Sequence, residues 1–128
     1  MTPEENEMLT RVGPGTPGGE MLRRYWWPVW FEEKIANKPI MIRLLGETFV
    51  LFRDGKGKIG MLDHICAHRR ASLEFGRVEE KGIRCCYHGW LYGADGQCLE
   101  MPAEPPGSRL YEEVKQRAAQ IQVAAGLV

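Results

Sequence analysis

The sequence lacks the features of a membrane-spanning, secreted or nucleic-acid-binding protein. No apolar run approaches the roughly 18 residues that a membrane-spanning helix needs. Its 17 basic and 17 acidic residues give a formal net charge of zero, so nothing indicates a nucleic-acid or anionic membrane partner. Residues 1–9 are acidic and lack the apolar centre of a secretory signal. We therefore expect a cytoplasmic protein with no nucleic-acid or membrane partner.

Cysteine is scarce, and the spacing of the four cysteines excludes several common uses of this residue. Cys85 and Cys86 are adjacent and cannot readily bridge each other, and no C-x-x-C redox pair is present. The usual spacing of a structural zinc site, a Cys pair followed by a His pair, is also absent. With no secretory signal, free thiols in a reducing compartment fit better than a disulfide framework. We expect Cys86 and Cys98 to be buried thiols without a chemical role.

The sequence does contain two short segments that each combine a thiol with an imidazole, Cys66-Ala67-His68 and Cys85-Cys86-Tyr87-His88. A mixed pair in each loop suits two metal atoms shared between the loops. This is the ligand arrangement of a Rieske 2Fe–2S centre, in which two His replace two Cys on one iron. A single zinc ion bound by the same four side chains stays open as an alternative. The remaining histidine, His64, is expected to be a loop or hydrogen-bonded core residue and not a ligand.

Turn and periodicity signals predict a mainly β chain that begins with two short helices. Thr2-Pro3-Glu4-Glu5 predicts a capped helix to about Thr10, and Thr16-Pro17 begins a second. Strands are predicted where β-branched and aromatic residues form short runs bounded by turns. These runs are residues 27–31, 40–45, 49–52, 59–62, 75–79, 83–85, 90–92, 97–99 and 117–123, with a further strand beginning at 126–128. Both thiol–imidazole segments then follow hairpin strands, which hold loop ligands on a rigid scaffold.

Longer stretches around these segments resemble the phthalate dioxygenase-like ring-hydroxylating oxygenases. The resemblance is carried by residues 11–17, 44–47, 66–73, 75–77, 82–85, 87–90 and 95–105. It extends from about Glu5 to Pro106. Ala67 departs from the proline that is common after the first ligand cysteine in this family, a difference that affects loop stiffness more than chemistry.

The resemblance implies a fold and a set of cluster ligands. The expected fold is a Rieske-type antiparallel β-sandwich with a cluster-binding subdomain of two hairpin loops. Residues 1–26 would form an N-terminal segment of short helices, and residues 27–128 a Rieske domain whose C-terminal strand is truncated. Cys66 and Cys85 would bind one iron of a 2Fe–2S cluster, and His68 and His88 the other.

The same resemblance implies electron transfer, with the chain as the N-terminal donor domain of an aromatic-ring-hydroxylating oxygenase. A stand-alone Rieske ferredoxin stays open. The implied donor is a flavin/iron–sulfur reductase, and the implied acceptor is a catalytic domain or neighbouring subunit in a homotrimer of a bacterial cytoplasmic enzyme. The family's catalytic mononuclear iron is held by two His and a carboxylate. We do not expect it on this chain, because two of the three histidines serve the cluster. Whether the chain itself is an enzyme is left open.

Overall fold

Eight short strands and three short α-helices make up the chain, which a computed structural model describes over residues 1–128. The helices are Pro3–Thr10 (α1), Pro17–Leu22 (α2) and Leu110–Glu113 (α3). Two further turns of 3-10 helix cover Glu32–Lys34 and Leu73–Phe75. The strands are Ile40–Leu44 (β1), Glu47–Arg53 (β2), Ile59–Asp63 (β3), Arg77–Glu79 (β4), Gly82–Arg84 (β5), Leu91–Tyr92 (β6), Cys98–Glu100 (β7) and Ala118–Ala119 (β8).

The two N-terminal helices are held by their caps more than by packing. The Thr2 hydroxyl accepts a hydrogen bond from Glu5 N, and the Glu5 carboxylate accepts one from Thr2 N, so the predicted capping box is confirmed. Thr16 caps α2 in a similar way through Gly19 N. No residue of α1 is buried, and α2 buries only Gly19. No helix of the chain combines the length and apolar character needed to cross a bilayer.

The first sheet has the antiparallel order β1-β2-β3-β8. Its first hairpin turns at Leu45 and Gly46, whose φ angles of 48° and 78° are both positive, the backbone twist that a two-residue hairpin favours. The second hairpin turns at the predicted residues 54–57, where the Asp54 carboxylate accepts hydrogen bonds from Lys56 N and Lys58 N.

The second sheet, β4-β5-β6-β7, is also antiparallel and packs against the first. Successive side chains of β2 point to opposite faces. Val50 and Phe52 enter a core cluster that also contains Ile83 and Tyr92 of the second sheet. Phe49 and Leu51 enter a separate cluster, with Ile35, Ile42, Met61 and Val128. The prediction of a mainly β fold with two antiparallel sheets is thereby confirmed.

Two of the predicted strands, at residues 27–31 and 126–128, do not form as strands. Residues 27–31 form no strand, because Pro28 cannot donate a ladder hydrogen bond and only the last few residues of the chain lie alongside. The contact is reduced to one bridge between Phe31 and Leu127 and to hydrogen bonds such as Val29 N to Val128 O, at 2.7 Å. The further strand predicted at 126–128 is likewise limited to these bonds.

The strand predicted over residues 117–123 shrinks to β8, which pairs with Met61 and Leu62 of β3. Its two alanines have low β propensity and little side-chain surface to pack. The strand predicted from Phe75 begins instead at Arg77, since Phe75 ends a 3-10 helix and its side chain is exposed.

Candidate metal centre

The two thiol–imidazole segments lie in loops that share one backbone design. We call residues 66–71, which follow β3, the first ligand loop, and residues 85–90, between β5 and β6, the second ligand loop. In each loop the cysteine N–H donates to the carbonyl five residues on, Cys66 to Ala71 and Cys85 to Trp90, both at 2.9 Å. The cysteine carbonyl accepts from the residue four positions on, Arg70 or Gly89. Both of these residues have positive φ, 61° and 75°. These matching backbone hydrogen bonds hold each cysteine at the base of its loop.

The thiols of Cys66 and Cys85 meet beneath the loops and are almost fully buried, at 1% and 4% exposure. Burial raises the pKa of the Cys85 thiol, as does its contact with Cys66, while hydrogen bonds from the N–H groups of Tyr87 and His88 oppose the rise. The hydroxyl of buried Tyr92 lies 3.3 Å from Cys66 Sγ. Two touching thiols in this setting would not both ionise without a neighbouring cation. The pair is therefore suited to metal ligation.

The imidazoles of His68 and His88 form the outer half of the site. Their ring centroids are 4.7 Å apart, and the rings meet edge to face. Trp90 stacks almost parallel on His68 at 4.2 Å, and Tyr87 lies 3.8 Å from His88. Burial lowers the pKa of His68, as do the nearby charges of His88 and Arg69. His68 therefore favours the neutral form that binds metal.

This donor set fits a 2Fe–2S cluster. The four side chains meet as a buried pair of thiols and a more exposed pair of imidazoles. These are two separate pairs, because no three or more His, Cys, Asp or Glu side chains are close enough together to hold one ion. Two sulfur donors on one side and two nitrogen donors on the other match the unequal ligation of the two Rieske irons.

The other predicted residues lie outside this donor set. His64 Nδ1 is 3.1 Å from the carbonyl oxygen of Thr48, which gives this half-buried histidine a hydrogen-bonding partner. Cys98 is buried, as predicted, and its thiol lies 3.6 Å from the carbonyl oxygen of Glu100. Cys86 was predicted to be buried and is exposed instead, because the second ligand loop turns its side chain away from Cys85.

Three residues that support the loops were missed by sequence reasoning. Arg84 donates from Nη1 to the Gly89 carbonyl at 2.6 Å and so braces the second ligand loop. Gln116 accepts from Ala67 N at 2.9 Å and so reaches the first ligand loop. Tyr92 contacts Cys66. Arg84 and Tyr92 flank the second ligand loop closely enough to be found by inspecting neighbours, whereas nothing local marks Gln116.

Comparison with known proteins decides the family. The profile described as Rieske [2Fe-2S] domain matches residues 25–121. The chain belongs to the Rieske [2Fe-2S] domain family. A Rieske cluster is therefore its cofactor class.

The similar proteins are oxygenases. The chain is 53% identical over 123 residues to the tert-butanol monooxygenase / tert-amyl alcohol desaturase oxygenase subunit of Aquincola tertiaricarbonis, covering 96% of this chain and 26% of that protein. It is 44% identical over 131 residues to the phthalate 4,5-dioxygenase oxygenase subunit of Pseudomonas putida, covering 100% of this chain and 30% of that protein. The resemblance to phthalate dioxygenase-like oxygenases is confirmed.

A solved structure agrees with these relatives. NdmA of Pseudomonas putida CBB5 superposes with a TM-score of 0.74 and 31% identity, covering 84% of this chain and 34% of that one. The Rieske chain therefore spans about a third or less of the proteins it matches. An oxygenase-subunit context is favoured over a separate ferredoxin, because these relatives are oxygenase subunits.

Proposed function

We propose that this Rieske chain is the electron-transfer domain of an oxygenase subunit. The observation that carries the proposal is the pairing of two buried thiols with two outward imidazoles, in a chain whose relatives are oxygenase subunits. Cys66 and Cys85 would hold one iron, and His68 and His88 the other. A bound 2Fe–2S cluster would accept one electron reversibly and pass it on.

The burial of this chain's residues indicates the side of the site through which the electron would be exchanged. The sulfur end is buried in the core shared by the two sheets, whereas His88 and its neighbour Tyr87 are exposed. The imidazole end is thus the side from which a partner can approach closely. Because His68 and His88 would supply neutral ligands in place of anionic thiolates, a bound cluster would accept its electron more readily at this end.

The partners we propose follow from this polarity. A flavin/iron–sulfur reductase would deliver electrons, and the mononuclear-iron catalytic domain, from the same or a neighbouring subunit of a homotrimer, would accept them. The exposed Arg69 and Arg70 of the first ligand loop give the approach side a local positive charge that an acidic partner surface would match. We propose a bacterial cytoplasm as the location, in keeping with four cysteines that form no disulfide.

The assignment of Cys85 as an iron ligand can be tested by substituting it and the adjacent Cys86 separately. Iron and acid-labile sulfide analysis should find about two of each per chain, and the reduced protein should give the EPR signal of a mixed-valence Rieske cluster. Cys85→Ser should abolish the signal, because it removes a buried ligand. Cys86→Ser, the matched control one residue away on the exposed side, should leave it unchanged.

A histidine variant tests the nitrogen side of the same assignment. His68→Cys should keep a cluster with a lower midpoint potential in voltammetry, because an anionic ligand replaces a neutral one. An unchanged midpoint would reject His68 as a ligand. A colourless wild-type protein that takes up one zinc ion and no iron after anaerobic reconstitution would reject the proposed function as a whole.

A further inference from the structure

Gln116 is a buried amide whose side chain is fully engaged in hydrogen bonds. It is 2% exposed, whereas the neighbouring residues Lys115 and Arg117 are exposed. Its Nε2 donates to the carbonyl oxygens of Asp63 at 2.9 Å and Ile65 at 2.7 Å. Its Oε1 accepts from Ala67 N at 2.9 Å. Buried amides are costly unless paired, and here both N–H groups and the oxygen are paired.

The backbone around Gln116 is fixed from both sheets. On the side of the second sheet, Cys98 N donates to the Val114 carbonyl at 3.0 Å, and Gln116 N donates to the Gly96 carbonyl at 2.7 Å. On the side of the first sheet, Asp63 N donates to the Arg117 carbonyl at 2.8 Å, and β8 then pairs with β3. Gln116 therefore lies where the chain crosses from one sheet to the other, and its side chain has little freedom to point elsewhere.

The three partners of the Gln116 side chain lead directly into the first ligand loop. Asp63 ends β3, Ile65 lies two residues further on, and Ala67 stands between the proposed ligands Cys66 and His68. The loop's own hydrogen bonds, from Cys66 to Ala71 and from Arg70 to Cys66, determine its shape. Those bonds do not fix the position of the loop relative to the two sheets. The hydrogen bonds of the Gln116 side chain can fix it, because the backbone around Gln116 is held by both sheets.

The second ligand loop is placed by a different device. Arg84, the residue just before Cys85, donates to the Gly89 carbonyl and is held by ion pairs with Glu79 and Glu100. The first ligand loop has no such neighbour, and its bond at Ala67 comes from 49 residues further along the chain. The relative position of the two loops thus depends on a remote glutamine, together with the contact between Tyr92 and Cys66.

We propose that Gln116 is a positioning residue that holds Cys66 and His68 in register with Cys85 and His88. It thereby sets how tightly the cluster is retained and at what potential it is reduced. This inference rests on the proposed function, since it assumes that these four side chains bind the cluster. Groups that orient metal ligands from outside commonly change metal retention by about ten- to a hundredfold when removed.

The test compares two glutamines whose side-chain amides both bind backbone groups, Gln116 at residues 63–67 and Gln97 at residues 111–114. Gln116→Met keeps the side-chain length and removes all three hydrogen bonds. Gln97→Met is the matched control, because the Gln97 amide lies within hydrogen-bond distance of the Tyr111, Glu112 and Val114 carbonyls and reaches neither ligand loop. We expect cluster loss to a chelator to become about tenfold or more faster in Gln116→Met, with a shifted midpoint potential and altered EPR g values. Gln97→Met should keep wild-type values of all three, whatever it does to unfolding.

A second variant removes the same contact from the loop side. Ala67→Pro deletes the N–H that donates to Gln116 Oε1 and also fixes the φ angle at this position, where proline is common in the oxygenases that the sequence resembles. The rate of cluster loss should rise in this variant too. In the double variant Ala67→Pro with Gln116→Met, the rate should rise by less than the product of the two separate fold-changes. Fully multiplicative effects would mean that the two residues do not act through one another.

Hydrogen exchange of the Ala67 amide separates this inference from the proposed function. In wild type the amide should be protected with or without cluster, and in Gln116→Met it should exchange at least about tenfold faster, while Gln97→Met keeps the protection. Wild-type cluster retention and potential in Gln116→Met, or equal changes in both Met variants, would overturn the positioning role. A wild-type protein without iron would instead reject the proposed function, and unchanged Ala67 exchange in Gln116→Met would show separately that the contact does not fix the loop.

Discussion

The Cys66 sulfur has the hydroxyl group of Tyr92 as a close neighbour in the core. Tyr92 is fully buried in the core between the two sheets, and its oxygen lies 3.3 Å from Cys66 Sγ. When Cys66 is a thiolate, only the Tyr92 hydroxyl can be the donor of this pair. A donor to sulfur stabilises the more negative, reduced state of the centre.

Tyr92→Phe should therefore lower the midpoint potential of the cluster. The ring that fills the core is retained, so the expected cost in unfolding free energy is small, about 1 kcal/mol for the lost hydrogen bond. Direct voltammetry of the two proteins measures the shift. Tyr87→Phe is the control, because the exposed Tyr87 side chain contacts the His88 ring and not a sulfur. An equal or higher midpoint in Tyr92→Phe would contradict the donor role.

These residues also show what could be predicted from sequence at the site. The four ligands could be proposed from the sequence because ligands of one loop are close in sequence and have characteristic spacing. Gln116 could not be identified, because its function as a partner of Ala67 exists only after the two sheets have come together. The exposure of Cys86 was missed for a related reason, since adjacent cysteines look alike until the loop directs one inward and one outward.

The hairpin of β4 and β5 carries an ion-pair network that braces the second ligand loop. Arg84 binds the Glu79 carboxylate through two nitrogens, both at 2.8 Å, and also pairs with Glu100 of β7. Arg77 lies on the exposed side of the same carboxylate. Hydrogen bonds from Arg84, with a smaller contribution from Arg77, lower the pKa of Glu79 to about 2 from an ordinary value of 4.5.

This depressed pKa predicts how stability depends on pH. The stabilisation by ionised Glu79 is complete above about pH 4.5 and is lost as the pH falls toward 2. Between about pH 5 and pH 3, wild type should lose roughly 1–2 kcal/mol more unfolding free energy than Glu79→Gln, after allowance for solvent screening. Urea unfolding followed by tryptophan fluorescence measures this difference. Glu113→Gln, a change at an exposed glutamate without an ion pair, should keep the wild-type pH dependence.

The strands show where a sequence pattern reaches its limit. Residues 40–45, 49–52 and 59–62 were correctly predicted, because each has β-forming residues and a neighbouring strand joined by a tight turn. Residues 27–31 also contain aromatic and β-branched side chains, but Pro28 interrupts the run and no continuous neighbour is present to pair with. A strand needs a partner for its backbone groups, and a local pattern cannot report whether one is present.

For the chain as a whole, we propose the division predicted from sequence, with residues 1–26 distinct from a Rieske domain at 27–128. The helices of the first segment bury almost nothing, and the segment is tied to the first sheet chiefly by Arg23. This side chain pairs with Glu47 at 2.7 Å and donates to the Leu45 carbonyl at 2.9 Å. No hydrogen bond or ion pair joins residues 1–26 to either ligand loop.

Deleting residues 1–26 should therefore lower the unfolding free energy without changing the electron-transfer properties. The truncated protein should keep the EPR g values and midpoint potential of the full chain, because the ligand loops, Arg84, Tyr92 and Gln116 keep all their contacts. Its unfolding free energy should fall by roughly 1–3 kcal/mol, the cost of removing a partly buried charged partner. Arg23→Met in the full chain should reproduce most of this loss, since it breaks the same ion pair while leaving the helices in place. If the deletion changed the midpoint potential while Arg23→Met did not, the first 26 residues would belong to the cluster-binding unit, and the boundary at residue 27 would be wrong.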